Sequence, residues 1–566
     1  MRWLAVSVCC AAVLLSTCVV QSDDLPDMRI QKKLIECGWD TPDTAMLRKH
    51  LAEVEQAPYD GIRIKATGTD VEGNPVRLTF AFGPEEWDRE SFQHAVDDLK
   101  ACDWQRMTDN FLATGANPGS VDWFDDAGWA RIADHMTIAA WIAREGGLRG
   151  IIFDPESYSK YHQWLYAEQP GRDEHSFDEY YAKARERGRQ VMGAICAEFP
   201  DIVIHTFFAN VQNSPAAGLA DPRPVLAGLA YGLYTPFLDG WLDALPPTAT
   251  IVDGCERAYH FTSAADFLNA AQFIRNDAQT LVSPENRAKY RTQVQVGFGI
   301  YLDAHANPPD SKYYLDPGEG TPTELLERNV GNALRVCDGY VWTWGEKWHW
   351  WPCTRWPDND KPWELALPGI TDALNWARAP EGYGLQRVAE MERDGTLVEL
   401  ARNGDFGSET TPTPDGGEAD WKQDGAPAGW STWQIPEPAG VFAWDREVGA
   451  EASGSARATG VSNGCFIQSF DVQPGERYAI RVVGRVQGHG SVWVRARWQT
   501  PEGKWTLERQ DRMFPPAKSE GDWRQMSGVV TVPDTVGKLV ILLGVGGQTS
   551  TEDVAWFDDI SVAKID

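Results

Sequence analysis

The chain has 566 residues, with 82 acidic against 52 basic side chains and a formal net charge of −30. That excess repels polyanions, and no basic block gathers phosphates locally, so nucleic-acid binding driven by counterion release is excluded. Apolar residues at 43% and charged residues at 24% are ordinary for globular domains and argue against a multi-span membrane protein, whereas 26 tryptophans against 21 phenylalanines and 16 tyrosines supply an excess of flat side chains suited to ring stacking as well as to cores.

At the amino terminus Arg2 precedes an apolar run, WLAVSVCCAAVLLSTCVV, and polar QSDD follows, the order of a secretory signal. Residues 1–22 are therefore expected to be a signal peptide cleaved after Ser22, which makes the mature protein secreted or periplasmic, with no transmembrane helix. The segment LLSTC ending at Cys18 resembles a bacterial lipoprotein box, which implies a lipid anchor at Cys18 as the alternative. Seven cysteines follow (Cys37, Cys102, Cys196, Cys255, Cys337, Cys353 and Cys465), odd in number and without C-x-x-C spacing. They read as buried thiols rather than a disulfide framework or a zinc knuckle.

Residues 23–384 alternate short β-branched or aromatic runs with amphipathic helical stretches. Eight strands are expected, at 33–40, 61–67, 106–114, 148–156, 201–210, 248–256, 294–303 and 338–346. Helix starts are signalled at Thr321-Pro322 with Glu324 closing a capping box, and at Thr41-Pro42 in the same arrangement. Eight strand-helix repeats demand a parallel sheet with right-handed crossovers and predict an α/β fold, a (β/α)8 TIM barrel, with surplus length for insertions over one face; an open doubly wound sheet is the alternative, weakened as a dinucleotide binder because no G-x-G-x-x-G follows a strand.

In such a barrel chemistry is built at the carboxyl ends of the strands. Those ends carry Asp40, Asp109, Asp154, Glu156, Asp253, Glu256, Asp303 and Glu346. Asp154 and Glu156, two residues apart in IIFDPESY, share one side of an extended chain about 7 Å apart, so each can tune the other's proton affinity. The last strand places Tyr340, Trp342, Trp344 and Glu346 on one parity, at the head of GYVWTWGEKWHWWPCTRW with its six tryptophans. Trp342 and Trp344 are candidates for a stacking floor under a sugar ring, while Trp350, Trp351 and Trp356 could simply cover the rim. Asp109, Asn110, Asn210, His205 and Tyr158 complete the candidate substrate-binding set. The closest histidines are thirteen residues apart, which removes H-x-H and H-E-x-x-H metal sites, and the G-x-S-x-G match at 460–464 lacks its strand-turn-helix. No cofactor is expected for catalysis.

The alternation stops near Pro380; 385–402 reads as a linker, and 403–566 as Gly-, Ser- and Pro-punctuated short strands of an all-β jelly-roll sandwich. The segments LARNGDFG, AGWSTW, GERYAIRVVGRV and VAWFDDISV resemble the CenC-like family of carbohydrate-binding modules. That resemblance implies glycan binding and a structural calcium, for which Asp405, Asp558 and Asp559 are the matching positions, with Trp430, Trp433 and Trp493 as ligand candidates. The barrel is similar in plan to glycoside hydrolases: Asp154-Pro155-Glu156 is similar to the D-x-E strand end of family 18 chitinases, although Ile151, Ile152 and Phe153 replace their longer acidic run. A likeness to the retaining α-galactosidase clan would instead pair Asp154 with Asp253. The expectation is a secreted glycoside hydrolase acting on a polysaccharide or oligosaccharide, with Glu156 as general acid, Asp154 as its tuning partner, Glu256 as nucleophile or base, and Glu346 and Asp253 as further candidates. The alternatives are a non-catalytic glycan-binding protein and a barrel lyase or isomerase on acidic sugars, the latter needing basic residues at the mouth beyond Lys65 and Lys347.

Overall fold

The computed structural model describes residues 32–565 apart from 159–160, 352–360, 408–410, 413–417, 420–425, 453 and 518–520. The readings on residues 1–22, Cys18, Cys353 and Trp356 fall outside the described residues. The chain divides into two compact units, Met1–Leu374 and Asn375–Asp566.

In the first unit the short apolar runs form β1 (Lys33–Gly38), β2 (Gly61–Ile64), β3 (Phe111–Gly115), β4 (Gly150–Asp154), β5 (Val203–Thr206), β6 (Thr250–Asp253), β7 (Val294–Val296), β8 (Phe298–Tyr301) and β9 (Tyr340–Gly345). All are parallel, in the order β8-β9-β1-β2-β3-β4-β5-β6-β7. β7 and β8 are consecutive in the chain, separated by Gly297 alone, whose N–H donates to the Asp253 carbonyl. The two edges of the ordered sheet thus meet at one residue, and the sheet is a nearly closed barrel. Most strand residues are buried, as a parallel sheet covered on both faces requires.

Intervening helices include α1 (Thr44–Val54), α2 (Gln93–Lys100), α3 (Asp126–Glu145), α4 (Phe177–Glu198), α5 (Tyr234–Ala244), α6 (Ala264–Gln272) and α7 (Pro322–Val336). α7 has the expected Thr321–Glu324 capping box. α1 starts two residues later than its Thr41-Pro42 signal, because the Thr41 hydroxyl donates back to the Gly38 carbonyl and Asp43 takes over as the cap, accepting from Met46 N. The expected start of the third strand is also displaced. Asn110 accepts from Ile62 N and donates to the Met107 carbonyl, which turns the chain and delays the strand to Phe111.

Nine tryptophans are fully buried among the described residues, so a large part of the indole excess serves packing. Trp123 stacks on Trp129 at 4.8 Å, within a cluster that includes Trp164 and Phe237. Inside the barrel Phe111, His205 and Tyr340 pack in one neighbourhood, and Trp342 stacks on Phe207 at 4.3 Å. The six described cysteines are free, and all but Cys102 are buried.

The second unit has two large antiparallel sheets among its described residues. One orders Ser431–Gln434, Asn463–Asp471, Lys538–Gly546, Ser491–Gln499 and Arg512–Ala517; the other orders Val441–Asp445, Ser455–Thr459, Val554–Lys564, Arg477–Gln487 and Arg524–Thr531. Alternating burial along Ser491–Gln499 sends every second side chain into a core that Phe442, Phe466, Ile480, Val494, Leu543 and Phe557 share. The segment read as a linker is not all irregular. Helix Pro380–Asp394 covers its first half and buries Val388 with Trp376, Ala479 and Ile565.

Candidate active site

At the carboxyl ends of the barrel strands lies an open cavity of about 1090 Å3. Asp154, Glu156, Glu256 and Glu346 all line it, together with Trp344 and Tyr158. Each acid is placed by its strand. Asp154 ends β4, and its Oδ1 accepts from Glu156 N at 2.9 Å, which fixes the turn that carries Glu156. The Tyr158 hydroxyl donates to Glu156 Oε2. After β6 the chain passes Gly254 and a left-handed Cys255 (φ 38°) before Glu256. At Gly254 a Cβ would stand 2.4 Å from the Thr206 carbonyl and 2.8 Å from Trp342 Nε1, so only glycine lets this turn close over the barrel interior. Beyond β9, Glu346 N donates to Asp303 Oδ2 at 2.8 Å, while Glu346 itself accepts from Trp344 Nε1 at 3.0 Å and from the Tyr301 hydroxyl at 3.2 Å.

Burial and mutual repulsion set the proton affinities. Asp154 is pushed up to about 7, chiefly by burial and then by the charge of Glu156, with Arg63 opposing. Glu256 is pushed up to about 8, by burial first and then by the charges of Glu156 and Asp154. None of the four acids has a lysine or arginine within ion-pair distance among the described residues. A carboxyl that keeps its proton near neutrality beside a charged one is the raw material of general acid/base chemistry.

Other sequence candidates lie elsewhere. Asp253 is fully buried and accepts from Ala209 N, Val211 N and Cys255 N, so it ties two loops together below the cavity; burial pushes it up to about 6. Asp109 and Asn110 precede β3 and therefore stand at the amino end of the barrel, where Asp109 accepts from the Tyr340 hydroxyl at 2.9 Å. Asn210 is buried and accepts from Thr235. His205 is enclosed within the barrel, neither ring nitrogen has a partner among the described residues, and burial pushes it down to about 3. Trp342 is enclosed too and donates to the Gly254 carbonyl at 2.8 Å, so it forms the base on which the site rests and does not line the cavity. Asp40 forms a buried pair with Glu36 and accepts from Trp350 N, while Trp351 donates to the Asp40 carbonyl; neither tryptophan lines the cavity.

The cavity also contains residues that strand-end reasoning missed: Trp39, Arg63, Phe80, Tyr259, Tyr301 and Tyr313. Tyr259 stacks on Tyr301 at 5.2 Å, and His260 stacks on Tyr313 at 5.7 Å. The parity of IYLD, which puts Tyr301 in step with Asp303, could have signalled one of them. Phe80 arrives on the insertion after β2, which no strand pattern marks.

In the second unit Trp430 is core and donates to the Arg402 carbonyl. Trp433 pairs with Cys465, Cys465 with Gly544, and Gly544 with Trp493, so both tryptophans stand on one face of one sheet, about 14 Å apart across three strand spacings. Trp493 lies over Gly544, where a Cβ would come within 2.2 Å of its ring, and Trp433 is 53% exposed. Asp558 is pushed up to about 6 by burial, with Asp559 and Asp405 adding to the effect. Its two oxygens accept from Ala450 N and Asp559 N, and among the described residues no three acidic, histidine or cysteine side chains converge on one point.

No protein-family model matches the chain, and no curated protein matches it. Solved structures do. It is similar to bacteriophage CBA120 tailspike protein 4, enzymatically active domain (13% identity over 24% of this chain and 19% of that one, TM-score 0.21). It is similar to the CBM22-1-GH10 modules of Clostridium thermocellum endo-1,4-beta-D-xylanase 10B (10% identity, 24% and 26%, TM-score 0.20). A CBM4 carbohydrate-binding module matches at 17% identity over 29% of this chain and 99% of the module, TM-score 0.21. The chain thus spans about a fifth of the tailspike domain and a quarter of the xylanase modules, and none of these likenesses bears on its chemistry.

Proposed function

We propose that the barrel unit is a glycoside hydrolase whose proton donor is Glu256 and whose charged carboxylate is Glu156. The observation that carries this reading is the convergence of Asp154, Glu156, Glu256 and Glu346 on one aromatic-walled cavity without a cationic partner. Glu256, pushed up to about 8, retains its proton at neutral pH and can deliver it to a glycosidic oxygen. Glu156, whose charge raises both neighbours, serves as nucleophile or as the base that activates water. This reverses the roles expected from sequence, because burial and the charges of Glu156 and Asp154 together raise Glu256. Trp344 and the tyrosines offer faces for sugar rings. The Arg2-led apolar run supports export, and no helix among the described residues is long and apolar enough to cross a membrane. The sandwich unit is read as a glycan-binding partner, with Trp433 and Trp493 as its platform.

Screening wild type and Glu156→Gln against a polysaccharide panel tests the reading. Wild type should release reducing sugar from at least one glycan, and the variant should bind it without cleaving it. Full turnover by Glu156→Gln would reject the assignment. The cavity's Arg63, Lys65, Arg77 and Arg257 favour a lyase on acidic sugars as the second reading, which an unsaturated product would reveal by its ultraviolet absorbance.

A further inference from the structure

The cavity's cations are not equivalent. Lys65 Nζ donates to the carbonyls of Trp39 and Thr41 at 3.3 and 3.0 Å. Arg257 donates to the Val211 carbonyl and the Ser214 hydroxyl at 3.4 and 3.0 Å, and Arg77 is exposed at the rim. Arg63, in β2, is 5% exposed, yet its side chain makes no hydrogen bond and no ion pair among the described residues, and its Nε is left without an acceptor. Its guanidinium carbon stands 5.3 Å from the ring centre of Phe207 and 5.6 Å from that of Trp344, so aromatic faces flank it where a carboxylate partner would ordinarily sit.

A guanidinium stays charged at any accessible pH and presents five N–H donors in a rigid fork. Leaving such a group buried without acceptors is unfavourable, and the cation–π contacts satisfy none of its donors. Asp154 and Glu36 feel its charge, but neither reaches ion-pair distance. The fork therefore opens on a cavity wall with its hydrogen bonds still to be made.

We propose that Arg63 is the specificity-determining residue for an anionic substituent on the bound sugar, the carboxylate of a uronic acid or a sulfate ester, held by a bidentate charge-assisted pair. The inference rests on the glycan reading above and names its substrate class. Burial keeps the proton on Glu256 and on part of Asp154 near neutral pH, which reduces the negative charge that an anion meets across the cavity to that of Glu156 and the remainder. An anion also completes the site electrostatically, since it is the one ligand chemistry that gives both the charge and the donors of Arg63 a partner.

Calorimetric titration of the full chain with D-glucuronate, D-glucose 6-sulfate and D-glucose tests this. At least one charged sugar should bind about tenfold or more tightly than glucose, the better of the two identifying the group, and Arg63→Gln should erase that preference. Arg63→Lys, which keeps the charge and loses the fork, should retain part of it; this second variant carries the test if Arg63→Gln fails to fold, as its thermal unfolding would reveal. Equal binding of all three sugars by wild type, or an undiminished preference in either variant, overturns the proposal. The two readings fail separately. A charge preference without turnover of any glycan would sink the hydrolase and keep Arg63, whereas hydrolysis of neutral glycans with no charge preference would do the reverse.

Discussion

Replacing Glu256 by Gln removes an ionisable group from a place that resists ionisation, so the variant should lose chemistry and gain stability. Glu256 is pushed up to about 8 from an ordinary 4.5. At low pH the carboxyl is protonated in both folded and unfolded chains. As pH climbs past its unfolded value the unfolded chain ionises while the folded one holds its proton until about 8, so stability drains away across that window and levels off above it. At about 1.4 kcal/mol per unit of displacement, the wild type should lose about 3 to 4 kcal/mol between about pH 5 and pH 8 that Glu256→Gln does not. In a unit of roughly 340 residues this corresponds to a Tm difference of about 5 °C. Thermal unfolding of both proteins across this range reads it as a variant-minus-wild-type Tm that grows with pH. Turnover should meanwhile fall by about a hundredfold or more, since an amide cannot deliver the proton. A Tm difference that stays flat with pH would refute the claim that Glu256 holds its proton in the folded protein.

His205 gives the opposite pH dependence. Its folded value is depressed to about 3, so its stability contribution is whole above about 6.5 and is lost as pH falls toward 3. His205→Leu should therefore resist acid better, by about 2 to 3 kcal/mol at about pH 4.5, measured as a lower acid-unfolding midpoint. On the sandwich, Trp433→Ala and Trp493→Ala should each weaken retention in polysaccharide affinity gels by about tenfold with little change in Tm, because both rings face outward from the sheet; unchanged mobility on every glycan that retards wild type would remove the platform.

The barrel was legible because its strands are short apolar runs buried on both faces, a pattern that survives without any knowledge of pairing. Three of the four converging acids, Asp154, Glu156 and Glu346, followed directly from strand ends, and Glu256 from a strand-end turn. The failures share one cause. RMTDN is extended in pattern, which puts Asp109 and Asn110 at the wrong end of β3, while the Asn110 amide, which turns the chain there, bonds to Ile62 on a neighbouring strand. Asp253 looked like Glu256 in sequence, yet its carboxylate is spent on three backbone amides whose location depends on the path of the next loop. Arg63 was invisible for the converse reason: a charged residue inside GIRI reads as the outward face of a strand, and only closure of the sheet reveals that it points among Phe207 and Trp344.

The electrostatic state of this cavity also bears on whether a mere binding protein would have it. A glycan-binding surface gains from neutral hydrogen-bonding groups and flat rings, and its acids cost least when paired with lysine or arginine. Here the four acids make no ion pair with Lys65, Arg77 or Arg257 among the described residues, and the buried Arg63 is flanked by rings, so the molecule holds a buried cation and half-buried acids apart. Such separation is unfavourable for folding in the way the Glu256 titration should expose, and it is useful when a proton must be held in readiness beside a charged carboxylate. Gly254 reinforces the point. A Cβ there would collide with the Thr206 carbonyl, so Gly254→Ala should displace the loop that carries Glu256, costing activity well before it costs the barrel. Wild-type turnover in Gly254→Ala would mean that the position of Glu256 does not matter, and with it the proton-donor role would fall.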